Sequence, residues 1–305
     1  MSTYLVTGGA GFIGTNIVKN LLSNGHNVRV IDNYSGGRYA DRLQEKTEYI
    51  EADIKDTEAL KKAMQGIDGV FHTAAVPRMP YSVEHPQETN ENNITGTLNV
   101  LVAARDAGVK RIVYSASSSA YGNQTIFPFQ EDMKPCPMSP YGLQKYVGEE
   151  YCRLFFELYG LETVSLRYFN VYGPYMDPNG AYALVIGKFL QQKKNNKPMT
   201  VCGDGEYYRD YTHVNDVVAA NILAMNSEKA GKGEVINIGN GKPYSVNQLV
   251  EIMGGQSVKI DPRPGDPRHT EADITRAQDL LDWAPEISLI EGIQLLKNEW
   301  GLNHS

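Results

Sequence analysis

The chain has no unbroken apolar run of the roughly 18 residues that a membrane-spanning helix requires. It also has no cationic stretch followed by an apolar segment ahead of its first strand. Neither membrane insertion nor export is expected, and a soluble cytoplasmic protein is. Positive charge is in short supply: 29 Lys and Arg stand against 36 Asp and Glu, and a net charge of −7 gives no general footprint for nucleic acid. Cysteine is scarce too. Cys136, Cys152 and Cys202 are too widely spaced for a paired framework or a metal-ligand pattern, which makes a reducing compartment the expectation. His26, His72, His85, His213 and His269 form no compact ligand set, so no metal is expected. Internal repeats and low-complexity segments are absent from the pattern.

What is present begins at once. Tyr4-Leu5-Val6-Thr7 reads as a buried strand and runs straight into Gly8-Gly9-Ala10-Gly11-Phe12-Ile13-Gly14. A side chain at the first glycine of this turn would obstruct it, one at the second would hold a pyrophosphate away, and one at the third would separate helix from sheet. The helix that follows carries apolar residues at Ile17, Val18, Leu21 and Leu22, and its amide-rich start can accept phosphate charge. Val28 to Ile31 forms a second strand ending at Asp32, whose carboxylate suits the two adenosine ribose hydroxyls and would repel a 2′-phosphate. A βαβ unit binding NAD rather than NADP is the reading.

The same alternation continues. Tyr49-Ile50-Glu51 leads into Asp53-Ile54, a polar-apolar pair suited to an adenine edge or to a plain strand-to-loop turn. Gly69-Val70-Phe71-His72 is followed by the small residues Thr73-Ala74-Ala75, and Arg111 to Ser115 and Glu162 to Tyr168 add further strands. Strands alternating with helical patterns of roughly 10 to 15 residues specify an α/β fold, a Rossmann-type doubly wound parallel sheet with ligands outside the carboxyl ends of its strands. At 305 residues the chain has room for a second, smaller unit. Gly173-Pro174 breaks the sheet pattern, Ala183 to Leu190 reads as a short helix over the cleft, Val214 to Met225 as a helix returning to the large unit, and Glu234 to Ile238 as another strand. The expected division is a cofactor-binding domain of residues 1–172 and 211–244 and a discontinuous substrate-binding domain of residues 173–210 and 245–305.

Ser117, Tyr141 and Lys145 are the chemical candidates. Tyr141 and Lys145 lie four apart on a helix expected to start near Pro140, which puts both on one face. A free phenol titrates near 10 and is a poor base at neutral pH. The Lys145 ammonium, with the positive ring of an oxidised nicotinamide, would favour the phenolate, and Ser117 could hydrogen-bond the same substrate oxygen.

With these residues the sequence resembles the extended short-chain dehydrogenase/reductase family, and within it the nucleotide-sugar 4-epimerases. The resemblance spans nearly the whole chain, through the glycine turn, Ser115-Ala116-Ser117-Ser118-Ser119-Ala120-Tyr121-Gly122, Ser139-Pro140-Tyr141-Gly142-Leu143-Gln144-Lys145, Arg167-Tyr168-Phe169-Asn170 and Gly203-Asp204-Gly205-Glu206-Tyr207-Tyr208-Arg209-Asp210. It implies that Tyr141 is the catalytic base, Lys145 its cofactor-binding activator and Ser117 the hydroxyl partner. It places NAD contacts at Gly8, Gly11, Phe12, Ile13, Gly14, Asp32, Asn33, Asp53, Ile54, Ala74, Ala75, Asn92, Tyr141, Lys145 and Tyr168. Substrate contacts are implied at Arg78, Ser117, Asn170, Ala183, Val185, Val201, Arg209, Arg263, Asp266 and Thr270. Two arginines, Arg209 and Arg263, could hold a diphosphate bidentately. The helices Thr95 to Ala107 and Gly142 to Tyr159 resemble the family's dimer-forming pair, so a homodimer is expected.

The reaction implied is C4 epimerisation of a UDP-hexose: Tyr141 removes the 4-hydroxyl proton, hydride passes to the nicotinamide, and the 4-keto sugar turns and takes hydride on its other face. Dehydratases and decarboxylases of the wider family place an acid beside the catalytic hydroxyl, whereas this chain has Ser118-Ser119. Thr270 stands at the position that limits space around the sugar C2 substituent. Being small, and together with Asp177-Pro178-Asn179-Gly180-Ala181-Tyr182-Ala183, it favours UDP-GlcNAc/UDP-GalNAc, with UDP-glucose/UDP-galactose as a second pair. Arg78 in Pro77-Arg78-Met79-Pro80 departs from the family's usual small residue and keeps a UDP-glucuronate-type 4-epimerase as the alternative. A non-catalytic NAD or nucleotide-sugar sensor would use the same cofactor fold without needing Ser117, Tyr141 and Lys145 together.

Overall fold

A computed structural model describes residues 1–77, 79–177, 184–262 and 267–302. The candidate substrate residues Arg78, Ala183, Arg263 and Asp266 lie outside the described residues. In chain order the elements are β1 (Thr3–Thr7), α1 (Phe12–Ser23), β2 (Asn27–Asp32), β3 (Thr47–Glu51), α2 (Thr57–Ala63), β4 (Gly69–His72), α3 (Met79–Glu84), α4 (Pro86–Asn90), α5 (Thr97–Asp106), β5 (Arg111–Ser117), α6 (Pro140–Tyr159) and β6 (Glu162–Tyr168). They continue with β7 (Val171–Tyr172), α7 (Val185–Lys194), β8 (Met199–Cys202), β9 (Tyr208–Asp210), β10 (Thr212–His213), α8 (Val214–Asn226), β11 (Lys232–Ile238), β12 (Pro243–Ser245), α9 (Val246–Met253), β13 (Ser257–Ile260), α10 (Thr275–Leu281) and α11 (Leu289–Glu299).

Seven strands form one parallel sheet in the order β11-β6-β5-β4-β1-β2-β3. The chain winds outward in both directions from β1 and β4, and the crevice outside their carboxyl ends is where such a sheet binds ligands. Period-two alternation sends neighbouring strand residues to opposite faces. Val6, Val30, Phe71 and Val113 pack with α1 and α8, whereas Leu5, Ile31, Val70 and Ile112 pack with α2, α5 and α6. Each fully buried aliphatic side chain in these two layers contributes roughly 1.5–3 kcal/mol. A third core holds Phe189 and Leu190 of α7, Met199 of β8, Leu249 and Met253 of α9 and Ile293 and Leu296 of α11. It makes the smaller unit, where β8 pairs with β13 and β9 with β12. Ala277 and Leu281 of α10 and Trp283 pack back into the α1 and α8 layer.

The local differences from the sequence pattern have simple causes. Ser117 ends β5 rather than following it, because its backbone keeps register with Tyr168 of β6. The helix read from Ala183 begins at Val185, with Leu184 as its extended N-terminal cap residue. Ahead of α5, residues Glu91–Gly96 form a π-helical turn, a feature found often at functional sites, and it carries Asn92.

His72 at the end of β4 is buried between the hydroxyls of Thr7, at 2.7 Å, and Thr97, at 2.9 Å. Burial first and the Lys145 charge second push its pKa down to about 3, so the folded protein holds it neutral. A pKa depressed on folding gives stability that is complete above the unfolded value of about 6.5 and is lost as pH falls toward the folded one, at about 1.4 kcal/mol per pH unit. The expected outcome is that His72→Gln flattens the fall in urea-unfolding free energy between pH 6.5 and 4. An unchanged slope would contradict the assignment of a buried neutral His72.

Candidate active site

The glycine turn is built for close approach. A Cβ on Gly14 would lie 2.2 Å from the Gly8 carbonyl oxygen, and one on Gly8, at φ +67°, would lie 2.8 Å from Cα of Ala74. The third glycine thus seats α1 on the turn itself, and Ala74 of the loop after β4 crosses directly over the first, its amide donating to Thr7 Oγ1 at 3.2 Å. Gly11 caps α1 without a side-chain hydrogen bond, and the first turn carries no acidic residue, which leaves the helix start open to an anion. Phe12 and Ile13, half-buried, open the helix.

Asp32 ends β2 with its carboxylate fixed by two backbone donors, Ala10 N–H on Oδ2 at 3.0 Å and Tyr34 N–H on Oδ1 at 2.8 Å. Each oxygen keeps lone pairs for a hydroxyl, the donor set a ribose supplies. Asn33 donates to Asp53 Oδ2 at 2.9 Å, joining the ends of β2 and β3. Ile54 is buried, its side chain filling the space left by Gly96. These residues fit a dinucleotide: a phosphate-accepting turn without a side chain, an acid for the ribose and a small-residue loop above.

The start of α6 sets the reactive groups. Ser139 caps it by accepting from Gly142 N–H at 3.1 Å, with Pro140 in the first turn. A Cβ on Gly142 would stand 2.6 Å from the Ser119 carbonyl oxygen, so the helix rests directly on the turn that follows β5. Tyr141 and Ser117 come together there, near enough for Ser117 to favour the Tyr141 phenolate against burial. Ser119 Oγ donates to Ser117 Oγ at 2.8 Å, and Ser82 Oγ of α3 accepts the Tyr141 amide at 3.0 Å. One turn further on, Lys145 is buried, its Nζ donating to the Ser115 carbonyl at 2.7 Å and lying 5.0 Å from the centre of the Tyr114 ring.

The electrostatics qualify the expectation for the phenol. Burial pushes Tyr141 up to about 12 against the lowering effect of Ser117, and burial brings Lys145 down to about 8 against the pull of Glu149. The protein's own groups therefore hold Tyr141 protonated, because desolvation of the phenolate outweighs the effect of Ser117.

Other candidate residues are brought together from distant parts of the chain. Tyr168 faces Ser117 across the β5–β6 pair, and its hydroxyl shares hydrogen bonds with Ser115 at 3.1 Å and Asn221 of α8. Asn170, in the left-handed region at φ +30°, donates to the Asp210 carbonyl at 3.0 Å and approaches Thr270 Oγ1 at 3.4 Å. Thr270 N–H in turn donates to Tyr208 O at 3.1 Å, beside half-buried Arg209, so three substrate candidates share one corner. Ala75, just after β4, and Asn92, in the π-helical turn, are half-buried. Val185 starts α7, and Val201 is buried in the third core.

Sequence pattern did not reveal the residues that brace these groups. Asn93 accepts the Val76 amide at 2.8 Å and donates to Gln144 of α6 at 2.8 Å, tying the small-residue loop to the helix of Tyr141. Gln144 then donates to Thr89 at 3.0 Å. Asp210, buried, accepts amides from Asn240, Gly241 and Ala272, which fixes the segment bearing Thr270. The only local signal is that each is a polar residue within or next to a motif quoted above.

The family described as NAD dependent epimerase/dehydratase matches residues 4–239. The solved UDP-glucose 4-epimerase of Thermotoga maritima, with UDP-glucose, superposes with a TM-score of 0.91 at 41% identity, covering 96% of each chain. The UDP-N-acetylglucosamine 4-epimerase of Methanobrevibacter ruminantium, in complex with UDP-N-acetylmuramic acid, gives 0.90 at 37% identity over 98% of this chain and 99% of that one. The UDP-glucose 4-epimerase of Thermus thermophilus, in complex with NAD, gives 0.90 at 33% over the same shares.

Because the turn has no room at its third glycine, Gly14→Val is expected to purify with little NAD and to bind it at least tenfold more weakly, a loss of about 1.4 kcal/mol or more. Calorimetric titration with NAD checks this, and wild-type affinity would contradict the tight-turn account.

Proposed function

The chain belongs to the NAD dependent epimerase/dehydratase family, and from that premise we propose that it inverts C4 of UDP-hexoses, with UDP-GlcNAc/UDP-GalNAc preferred and UDP-glucose/UDP-galactose as a second pair. The observation that carries the reaction is that Tyr141 lies beside Ser117 at the end of β5 in a dinucleotide fold, with Lys145 one helical turn behind. NAD, when bound, supplies a reversible hydride acceptor for C4 and a positive ring near the phenol.

The chain's own residues do the rest. Asp32 and the turn at Gly8, Gly11 and Gly14 hold the cofactor, and the carboxylate at Asp32 selects against a 2′-phosphate. Deprotonated when that positive ring lies beside it, Tyr141 Oη takes the 4-hydroxyl proton as hydride leaves C4 and returns it when the 4-keto sugar is reduced. Ser117 Oγ hydrogen-bonds the same sugar oxygen, and its partner Ser119 is a hydroxyl where a dehydratase needs an acid. That absence of a second proton-transfer group favours epimerisation over dehydration.

For the substrate, the small side chain of Thr270 beside Asn170 supports room for an N-acetyl group at C2, and Arg209 supports a diphosphate near the same corner. This reading carries with it the division into cofactor-binding residues 1–172 and 211–244 and substrate-binding residues 173–210 and 245–305. Exposed Leu143, Leu158 and Tyr159 on α6 support pairing of two copies through the α5 and α6 face. The three cysteines are free, which suits a cytoplasmic setting, and among the described residues no helix is long and apolar enough to cross a membrane.

Product analysis with UDP-GlcNAc, UDP-glucose and UDP-glucuronate in parallel tests the proposal. UDP-GlcNAc is expected to turn over fastest, Tyr141→Phe to keep NAD while losing turnover, and Thr270→Tyr to suppress the N-acetylated reaction more than that of the simple hexose. Faster turnover of UDP-glucuronate, or equal losses from Thr270→Tyr, would overturn the substrate assignment.

A further inference from the structure

Behind the reactive groups lies a buried charge cluster that the reaction above does not use. On α6, Lys145 and Glu149 are one turn apart and point inward, 4% and 1% exposed. Glu149 is gripped by Arg167 of β6 in a two-pronged contact, Nε to Oε1 at 2.9 Å and Nη2 to Oε2 at 2.7 Å. Arg167 is itself stacked over the Tyr121 ring at 4.5 Å and only 2% exposed. The register of the sheet sets Arg167 opposite Ala116, next to the Ser115 carbonyl that holds Lys145.

An ion pair this deep is costly, since replacing such pairs with apolar residues is often neutral or stabilising. Stability alone therefore does not account for its presence. The remaining groups around Lys145 supply no counter-charge. Tyr141 is held protonated, Tyr114 of β5 is raised by burial, and Cys152 of α6 is pushed up to about 12 by burial. His72 of β4 is neutral. Burial also raises Glu149, but Arg167 opposes this, and the two-pronged geometry is that of an ionised carboxylate. Glu149 is thus the one anion of this cluster, between two cations that the sheet and helix bring to it from different sides.

We propose that Glu149, anchored by Arg167, is a positioning residue whose charge holds the Lys145 ammonium in the buried site. Lys145 and Arg167 share one carboxylate: Arg167 fixes where it stands, and Lys145 draws on its field across one helical turn. Without it, a desolvated lysine next to a cationic cofactor would shed its proton. This inference rests on the proposed role of Lys145 but is tested separately from turnover.

The test compares wild type with Glu149→Gln/Arg167→Met, which removes both charges and strands neither, and with Glu149→Asp, which keeps the charge. In NAD-free protein labelled at lysine Cε with ¹³C, the Lys145 resonance, assigned with Lys145→Met, is titrated by NMR. In the double variant it is expected to lose its proton at a pH lower by about one unit, a tenfold larger acid constant. Glu149→Asp is expected to fall between. The alkaline limb of the turnover profile should move the same way. Titration at the wild-type pH in the folded double variant, or a fall in Glu149→Asp as large as in the double variant, would overturn the inference and leave the pair a packing role. Wild type that fails to epimerise any UDP-sugar would sink the functional reading instead, with the NMR titration still deciding this one.

Discussion

Gly142 leaves no space between α6 and the Ser119 carbonyl, where a Cβ would come within 2.6 Å. That contact fixes where the helix begins relative to the end of β5, and the positions that follow are set by helical geometry. Tyr141 meets Ser117, Lys145 reaches the Ser115 carbonyl one turn on, and Glu149 reaches Arg167 two turns on. Displacing the helix start by one residue would rotate all three away from the sheet by about 100°. A second close contact, Gly148 against the Tyr114 hydroxyl, holds the same helix down midway along its length.

The site is consequently a product of two rigid elements rather than of loops. Loops enter as braces. Asn93 and Gln144 clamp the crossing at Ala74 and Val76 to α6, and Asp210 gathers three amides to set the corner of Asn170, Arg209 and Thr270. Burial dominates the electrostatics throughout. It lifts Tyr141 and Asp210 and lowers Lys145 and His72, so the apolar surroundings disfavour every charged form near the chemistry except where a partner is provided. Charge survives at Arg167 and Glu149 because each faces the other's opposite charge through two hydrogen bonds.

Much of this is legible along the chain where the determinant is local. The strand, glycine turn, helix and terminal acid from Thr3 to Asp32 each follow from short-range pattern, and the Tyr141 to Lys145 spacing fixes a shared helix face. Ser117 is legible only as a strand end, and the structure adds that β5 reaches it because β6 continues alongside. Asn93, Asp210 and Glu149 are not legible, because their roles depend on partners 17 to 62 residues away along the chain. The direction of the Tyr141 shift is hidden for a related reason: a spacing shows a nearby lysine but not the desolvation that competes with it. The π-helical turn at Glu91–Gly96 has no local signal either, and its last residue, Gly96, lies against Ile54.

In the proposed reaction the bond from C4 to its hydrogen is broken and remade at one site, with Tyr141 handling only the proton on oxygen. A UDP-hexose bearing deuterium at C4, epimerised in ordinary water and followed by mass spectrometry and proton NMR, tests it. Full retention of deuterium at C4 of the inverted product is the outcome this account requires. Loss of deuterium to solvent in step with inversion would contradict it, since the proton would then be exchanged at carbon.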